Sequence, residues 1–192
     1  MSTNLAEARE RRSLLAAPRD VCQALDLSDA GRDALTGDPA PQVFLDRLVA
    51  ARCHDDAVNY LAHALPRVHA VRWACQSVRA AFGDALRPVA STAVIAAERW
   101  VMAPGEQHAL AAAGAAESAG MKDEGAARFA ALAAAWSGES MVAQDLPPVP
   151  AARELGAAAV AAAVQLAAVE GAPDQIDERL YKSIVRAMAA IA

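Results

Sequence analysis

From Pro66 to Phe82 the apolar residues Val68, Val71, Cys75, Val78 and Phe82 recur at steps of three and four. That spacing predicts a helix with one buried face. His69, Arg72, Gln76 and Arg79 recur at the same spacing on another face of the same helix. Just before it, Val58, Leu61 and Leu65 form the stripe of a second helix that starts near His54. Pro66 suits a first helical turn, where its missing N–H would be unpaired anyway. It also pushes Leu65 out of helical geometry, so the first helix ends there. So short a connection predicts two neighbouring helices, antiparallel or angled.

The same reading extends along the chain. Arg19–Leu25 is a short helix, and Ser28 is a candidate N-cap for another, Asp29–Leu35, stopped near Gly37. Val43, Phe44, Leu45, Leu48 and Val49 predict a helix ending around Cys53. Pro88 opens one whose broad apolar surface is Val89, Thr92, Ala93, Ala96, Ala97, Trp100 and Val101, and which ends before Pro104-Gly105. Glu106–Ala119, half of it alanine, reads as the next helix. Asp123 or Glu124 starts the next, with Phe129, Leu132, Ala133 and Trp136 inward and Gly138 as its stop. Leu155–Val169 is apolar except for Gln165, and Ile176, Leu180, Ile184, Met188 and Ile191 line one face of a last helix after Pro173. Before all of these, residues 1–17 are a charged amphipathic segment, either a helix that docks late or a frayed end.

Of the 192 residues, 53 are Ala, while Gly and Pro number ten each. Alanine is the best helix former and a poor strand former. The expected fold is therefore all-α: a single compact bundle of about eight to ten helices built from short-loop hairpins. Residues 1–192 read as one domain. The proline-stiffened stretch 139–150 reads as a strap to a C-terminal helix pair, 151–192, because either side alone would have a small core. The apolar run 155–169 is shorter than the roughly 20 residues a bilayer needs. A buried central helix is the expected reading, with no membrane span.

The net charge of −5 lies wholly in residues 103–192, which hold 11 acidic and 6 basic side chains against 12 and 12 before them. No basic stripe marks a nucleic-acid surface, so no nucleic-acid partner is expected. Cys22, Cys53 and Cys75 are odd in number and widely spaced, which fits a reducing, cytoplasmic setting. The Arg11-Arg12 start is followed by too short an apolar run, cut by Pro18, for a signal peptide.

Candidate chemistry is thin. Cys53, His54, His63, His69 and Cys75 are the nearest to a metal set, but adjacent or six-apart ligands diverge on helices. Ser137 lacks the elbow and the strand that a nucleophilic serine needs. Asp55-Asp56 and Asp123-Glu124 suit helix starts through the helix dipole. No phosphate loop or dinucleotide fingerprint is present, so no cofactor, no metal and no catalytic set is expected.

Four fragments carry a resemblance: Tyr60-Leu61-Ala62-His63-Ala64-Leu65-Pro66-Arg67, Ala70-Val71-Arg72-Trp73-Ala74-Cys75, Glu98-Arg99-Trp100-Val101 with Pro104, and Ala135-Trp136-Ser137-Gly138. Over residues 57–138 the chain resembles an uncharacterised bacterial family of Ala-rich all-α proteins, a domain of unknown function often found near type VI secretion genes. The resemblance implies a cytoplasmic accessory, adaptor or chaperone whose partner is a secretion effector or spike component, and it supplies no catalytic residues. An immunity protein against a cognate toxin is the second reading. A small-ligand binder or enzyme with a pocket near Trp73 and Trp100 is the third. For protein binding, the face of His69, Arg72, Gln76 and Arg79 and the acidic C-terminal half are the candidate surfaces.

Overall fold

A computed structural model of the protein describes residues 15–138, 149 and 151–191. Most of the amphipathic segment 1–17 and of the connector 139–150 lies outside the described residues. Among those described, every regular element is helical. In chain order they are α1 (Pro18–Cys22), α2 (Asp29–Ala34), α3 (Pro41–Ala50), α4 (His54–Ala64), α5 (Arg67–Phe82), α6 (Pro88–Met102), α7 (Glu106–Ser118), α8 (Met121–Ala135), α9 (Arg153–Ala168) and α10 (Ile176–Ile191). Short 3-10 turns at Gly83–Ala85 and Pro173–Gln175 lead into α6 and α10. The all-α bundle expected from the sequence is the fold the chain adopts.

Local chemistry sets the element ends. Ser28 caps α2, its hydroxyl accepting the Gly31 N–H at 3.0 Å. Prolines open α1, α3 and α6. At the central corner Leu65 is extended, with φ −72° and ψ 147°. Pro66 is itself the extended N-cap of α5, one residue earlier than the first-turn place expected for it. Gly83 closes α5 at φ +51°, a conformation that side chains rarely adopt. The helix expected from Asp123 or Glu124 starts earlier, at Met121. The cause is Glu124, which reaches back to accept the Gly120 N–H at 2.6 Å and so anchors an additional turn.

α4 and α5 touch only near their shared corner and then diverge, so the central pair is angled. What joins them is α9, which packs against α4, α5, α8 and α10. α8 in turn packs against α6, α7 and α9. Buried apolar residues from all ten of these helices fall into one contiguous cluster. The apolar stretch 155–169 is thus the central member of the bundle, as its pattern predicts.

Side-chain size explains how α8 and α9 meet. On α8 the buried hydrophobic side chains are all alanine: Ala126, Ala127, Ala130, Ala131, Ala133, Ala134 and Ala135. Phe129, Leu132 and Trp136, expected to point inward, are only half-buried and pack at the rim. Large side chains have no room where the backbones approach: a methyl at Gly125 would sit 3.3 Å from Leu166 Cδ1. Each buried methyl contributes little, roughly 0.8 kcal/mol. Alanine, however, loses no rotamer entropy on burial. Larger groups fill the other end, where Phe44 and Tyr60 stack edge-on at 5.0 Å and the Tyr60 hydroxyl donates to the Ala16 carbonyl at 2.7 Å.

Close packing makes these alanines sensitive to size. Ala163→Leu, on the buried face of α9, is expected to lower stability by about 1–3 kcal/mol through overpacking. Ala158→Leu, on the exposed face of the same helix, is expected to change it by less than about 0.5 kcal/mol. Urea unfolding of the two variants measures both.

Candidate functional site

The polar face of α5 sits partly covered. Arg79 is committed to α6: its Nε and Nη2 donate to the two carboxylate oxygens of Glu98 at 3.0 and 2.9 Å. This forked pair raises the guanidinium's pKa, chiefly through the hydrogen bond to Glu98. His69 and Gln76 are half-buried, and His69 Nδ1 and Gln76 Oε1 have no hydrogen-bond partner among the described residues. Arg72 is the exposed member of the four. The structure therefore keeps His69, Arg72, Gln76 and Arg79 on one helix face, with Arg72 exposed and Arg79 tied to Glu98.

The cysteine and histidine set is dispersed, and every member but His69 has a local explanation. His63 Nδ1 bonds its own helix at Asn59 O, 2.9 Å away. Cys75 is buried, and desolvation pushes its thiol up to about 12, with Glu98 adding to the rise. Burial likewise pushes the Cys22 thiol to about 11, with Asp56 adding to it. Cys53 rests against Ser28 Oγ at 3.8 Å. Among the described residues no three His, Cys, Asp or Glu side chains converge on one point. Ser137 bonds Ala133 O at 2.7 Å, the back-bond of a serine at a helix end. Asp55 and Asp56 lie in the first turn of α4, where their charge suits the helix dipole. Asp56 is also buried, taking both the N–H and the hydroxyl of Ser28.

A polar link that spacing did not reveal joins α4 to α10. Asp177, in the first turn of α10, accepts from Arg52 with one carboxylate oxygen and meets His54 Nδ1 with the other. Arg52 turns into this position with φ +59°. The carboxyl is held below its ordinary pKa, first by the Arg52 hydrogen bond and then by His54. His54 is buried and its ring lies 5.8 Å from that of Tyr181. The link fixes where α10 begins against the body.

Beyond that anchor α10 leaves an apolar groove against α3. Leu45 and Ile184 form its buried floor, and Val49, Tyr181, Val185 and Met188 its sides. Its volume is about 450 Å³. Tyr181 and Val185 are 44% and 47% exposed. One rim is polar, where Gln42 donates to Asp46 at 2.9 Å. The α10 stripe read from sequence covers the buried side of this helix, with Leu180 and Ile184 inward. Tyr181 and Val185 lie off that stripe, so a single-face reading passes over them.

A second cavity of about 370 Å³ lies under α6 and α8. Its buried carboxylate, Glu124, is already taken by the Gly120 N–H and by Arg87 at 3.6 Å. A third, of similar size, opens beside Trp73 between α5, α9 and α10. Trp73 and Trp100, named together as pocket markers, are both buried in the core and line none of these three.

Fold and surface together define an all-α bundle with an apolar groove between two helices and no convergent reactive set among the described residues. The chain belongs to DUF6931, a family of unknown function, whose model matches residues 44–191. The match takes in α4 to α10, well beyond residues 57–138. No curated protein and no solved structure matches the chain. Among the described residues, no helix is long and apolar enough to cross a membrane.

The Asp177 link predicts a pH dependence. Its depressed carboxyl contributes stability above the ordinary carboxylate value, about 4, and that contribution is lost as pH falls through the lower folded value. Wild type is expected to exceed Asp177→Asn in urea resistance at pH 6, and the gap is expected to close progressively below about pH 4. A gap that persists undiminished at pH 2 would show that the carboxylate charge plays no part.

Proposed function

We propose that the protein is a non-enzymatic protein-binding accessory that receives an amphipathic helix of its partner in the α3/α10 groove. The observation that carries this reading is the groove itself: apolar sides, a floor already packed, and half-exposed Tyr181 and Val185 at its mouth. Aromatic side chains are common anchors at interfaces, and Met188 supplies an adaptable wall. α3 runs for ten residues, about 15 Å of helix, enough to face two or three turns of a docked helix. Such a helix would present apolar side chains three and four residues apart.

The family resemblance supplies the class of partner: a type VI secretion effector or spike component, met in the cytoplasm before export. An adaptor or chaperone role follows, because a groove of this kind shields an apolar helix until it is delivered. The three free cysteines are consistent with a reducing setting.

Val185→Glu places a charge in the mouth of the groove at an exposed position, where the fold tolerates it. Products of neighbouring genes are to be co-expressed with wild type and variant and co-purified. The expected result is one stable complex with wild type and at least a tenfold loss with Val185→Glu, roughly 1.4 kcal/mol or more. A complex that forms equally well with Val185→Glu and with Tyr181→Glu would contradict docking at the groove.

A further inference from the structure

α10 has a second outward side, and its chemistry differs from that of the groove. There, Ser77 of α5 and Ser183 of α10 form the inner wall of a cleft of about 370 Å³. They are 5% and 4% exposed, and their hydroxyl oxygens lie 2.6 Å apart. Trp73 Nε1 donates to Ser183 O at 2.8 Å and to Ser183 Oγ at 3.1 Å. Two hydroxyls carry two hydrogens. One is used between the serines, and the indole contributes a donor rather than an acceptor. No further acceptor for either hydroxyl lies among the described residues, although Ser118, Ser137 and Thr92 all find a carbonyl four residues back. One buried hydroxyl hydrogen is therefore left to the cleft, and leaving such a donor unmet is costly.

The mouth of the cleft is basic in an acidic protein. Arg179, Lys182 and Arg186 line it, against the single carboxylate of Glu170. Two of the three cations have other partners. Arg179 caps the end of α9 by donating to the carbonyls of Ala168 and Glu170 and to Gln175 Oε1. Lys182 pairs with Glu178 at 2.6 Å. Arg186 has no hydrogen bond or ion pair among the described residues. The apolar part of the lining is alanine and valine side chains of α5 and α9.

We propose that this cleft binds a small organic anion, its oxyanion head held by Arg186 and the free Ser77/Ser183 hydroxyl and its short aliphatic body against the alanine wall. The head supplies the acceptor that the serine pair lacks, and the half-buried guanidinium can meet it with two parallel donors. The volume falls within the range of small-ligand pockets. The site is separate from the α3/α10 groove, so the fate of the protein-docking reading does not bear on it.

Trp73 provides the readout. Its indole N–H reports on Ser183, and the chain has three tryptophans, so three indole signals appear in a proton–nitrogen correlation spectrum. Titration of the full chain with butanoate at fixed ionic strength is expected to move the Trp73 indole signal saturably, with the Trp100 and Trp136 signals fixed. Inorganic phosphate, which has the head without the body, is expected to bind about tenfold more weakly. Arg186→Gln is expected to weaken butanoate at least tenfold with unchanged Trp100 and Trp136 signals, which shows the fold intact. Arg19→Gln, on α1 where the guanidinium faces Asp38, is expected to leave binding unchanged. A Trp73 signal that never moves, or that moves identically in Arg186→Gln, would overturn the site. Equal binding of phosphate and butanoate would overturn the aliphatic body.

Discussion

The contact on which this structure depends is the close approach of α8 and α9 through small side chains. Both helices bury alanine and glycine, so their backbones come nearer than leucine faces would allow. The gain per residue is small, and it is recovered by number and by the absence of rotamer entropy to lose. Everything else is arranged around that contact. α6 and α7 pack on the outer side of α8, and α4, α5 and α10 gather on α9. The larger groups, Trp73, Tyr60 and Phe44, fill the space where the helices splay.

α10 is positioned by polar contacts as much as by apolar ones. Asp177 ties its first turn to Arg52 and His54, Arg179 ties its second to the carbonyls ending α9, and Ser183 takes the Trp73 indole. Fixing α10 at these points leaves two of its sides to solvent. One is apolar and faces α3. The other carries the cations and the buried serines. A helix held in this way can present both surfaces without being rebuilt.

Much of the fold is legible in the sequence because it is written in local rules. The three- and four-residue steps along Arg67–Phe82, the proline at 88, and Ser28 before Asp29 each specify an element without reference to distant residues. The central place of the 155–169 segment is legible for the same reason, since a helix apolar on nearly every side has nowhere else to go. The inward placing of Phe129 and Leu132 fails because hydrophobicity ranks them above alanine, whereas the tight α8–α9 spacing selects for size. The site is less legible still. Arg79 reads as a free cation until Glu98, nineteen residues on, is seen to take both its donors. Ser77 and Ser183 are more than a hundred residues apart, and nothing in either neighbourhood announces the pair. The clip of Asp177 with Arg52 and His54 is hidden in the same way, because long-range polar pairing has no period to read.

Native-state hydrogen exchange tests the central claim most directly. If α9 is the shared member of one core, its amides from Ala159 to Ala168 exchange only through global unfolding, with the same free energy as the slowest amides of α5 and α8. Exchange of α9 and α10 together through a partial opening of much lower free energy, with α5 and α8 still protected, would contradict the account.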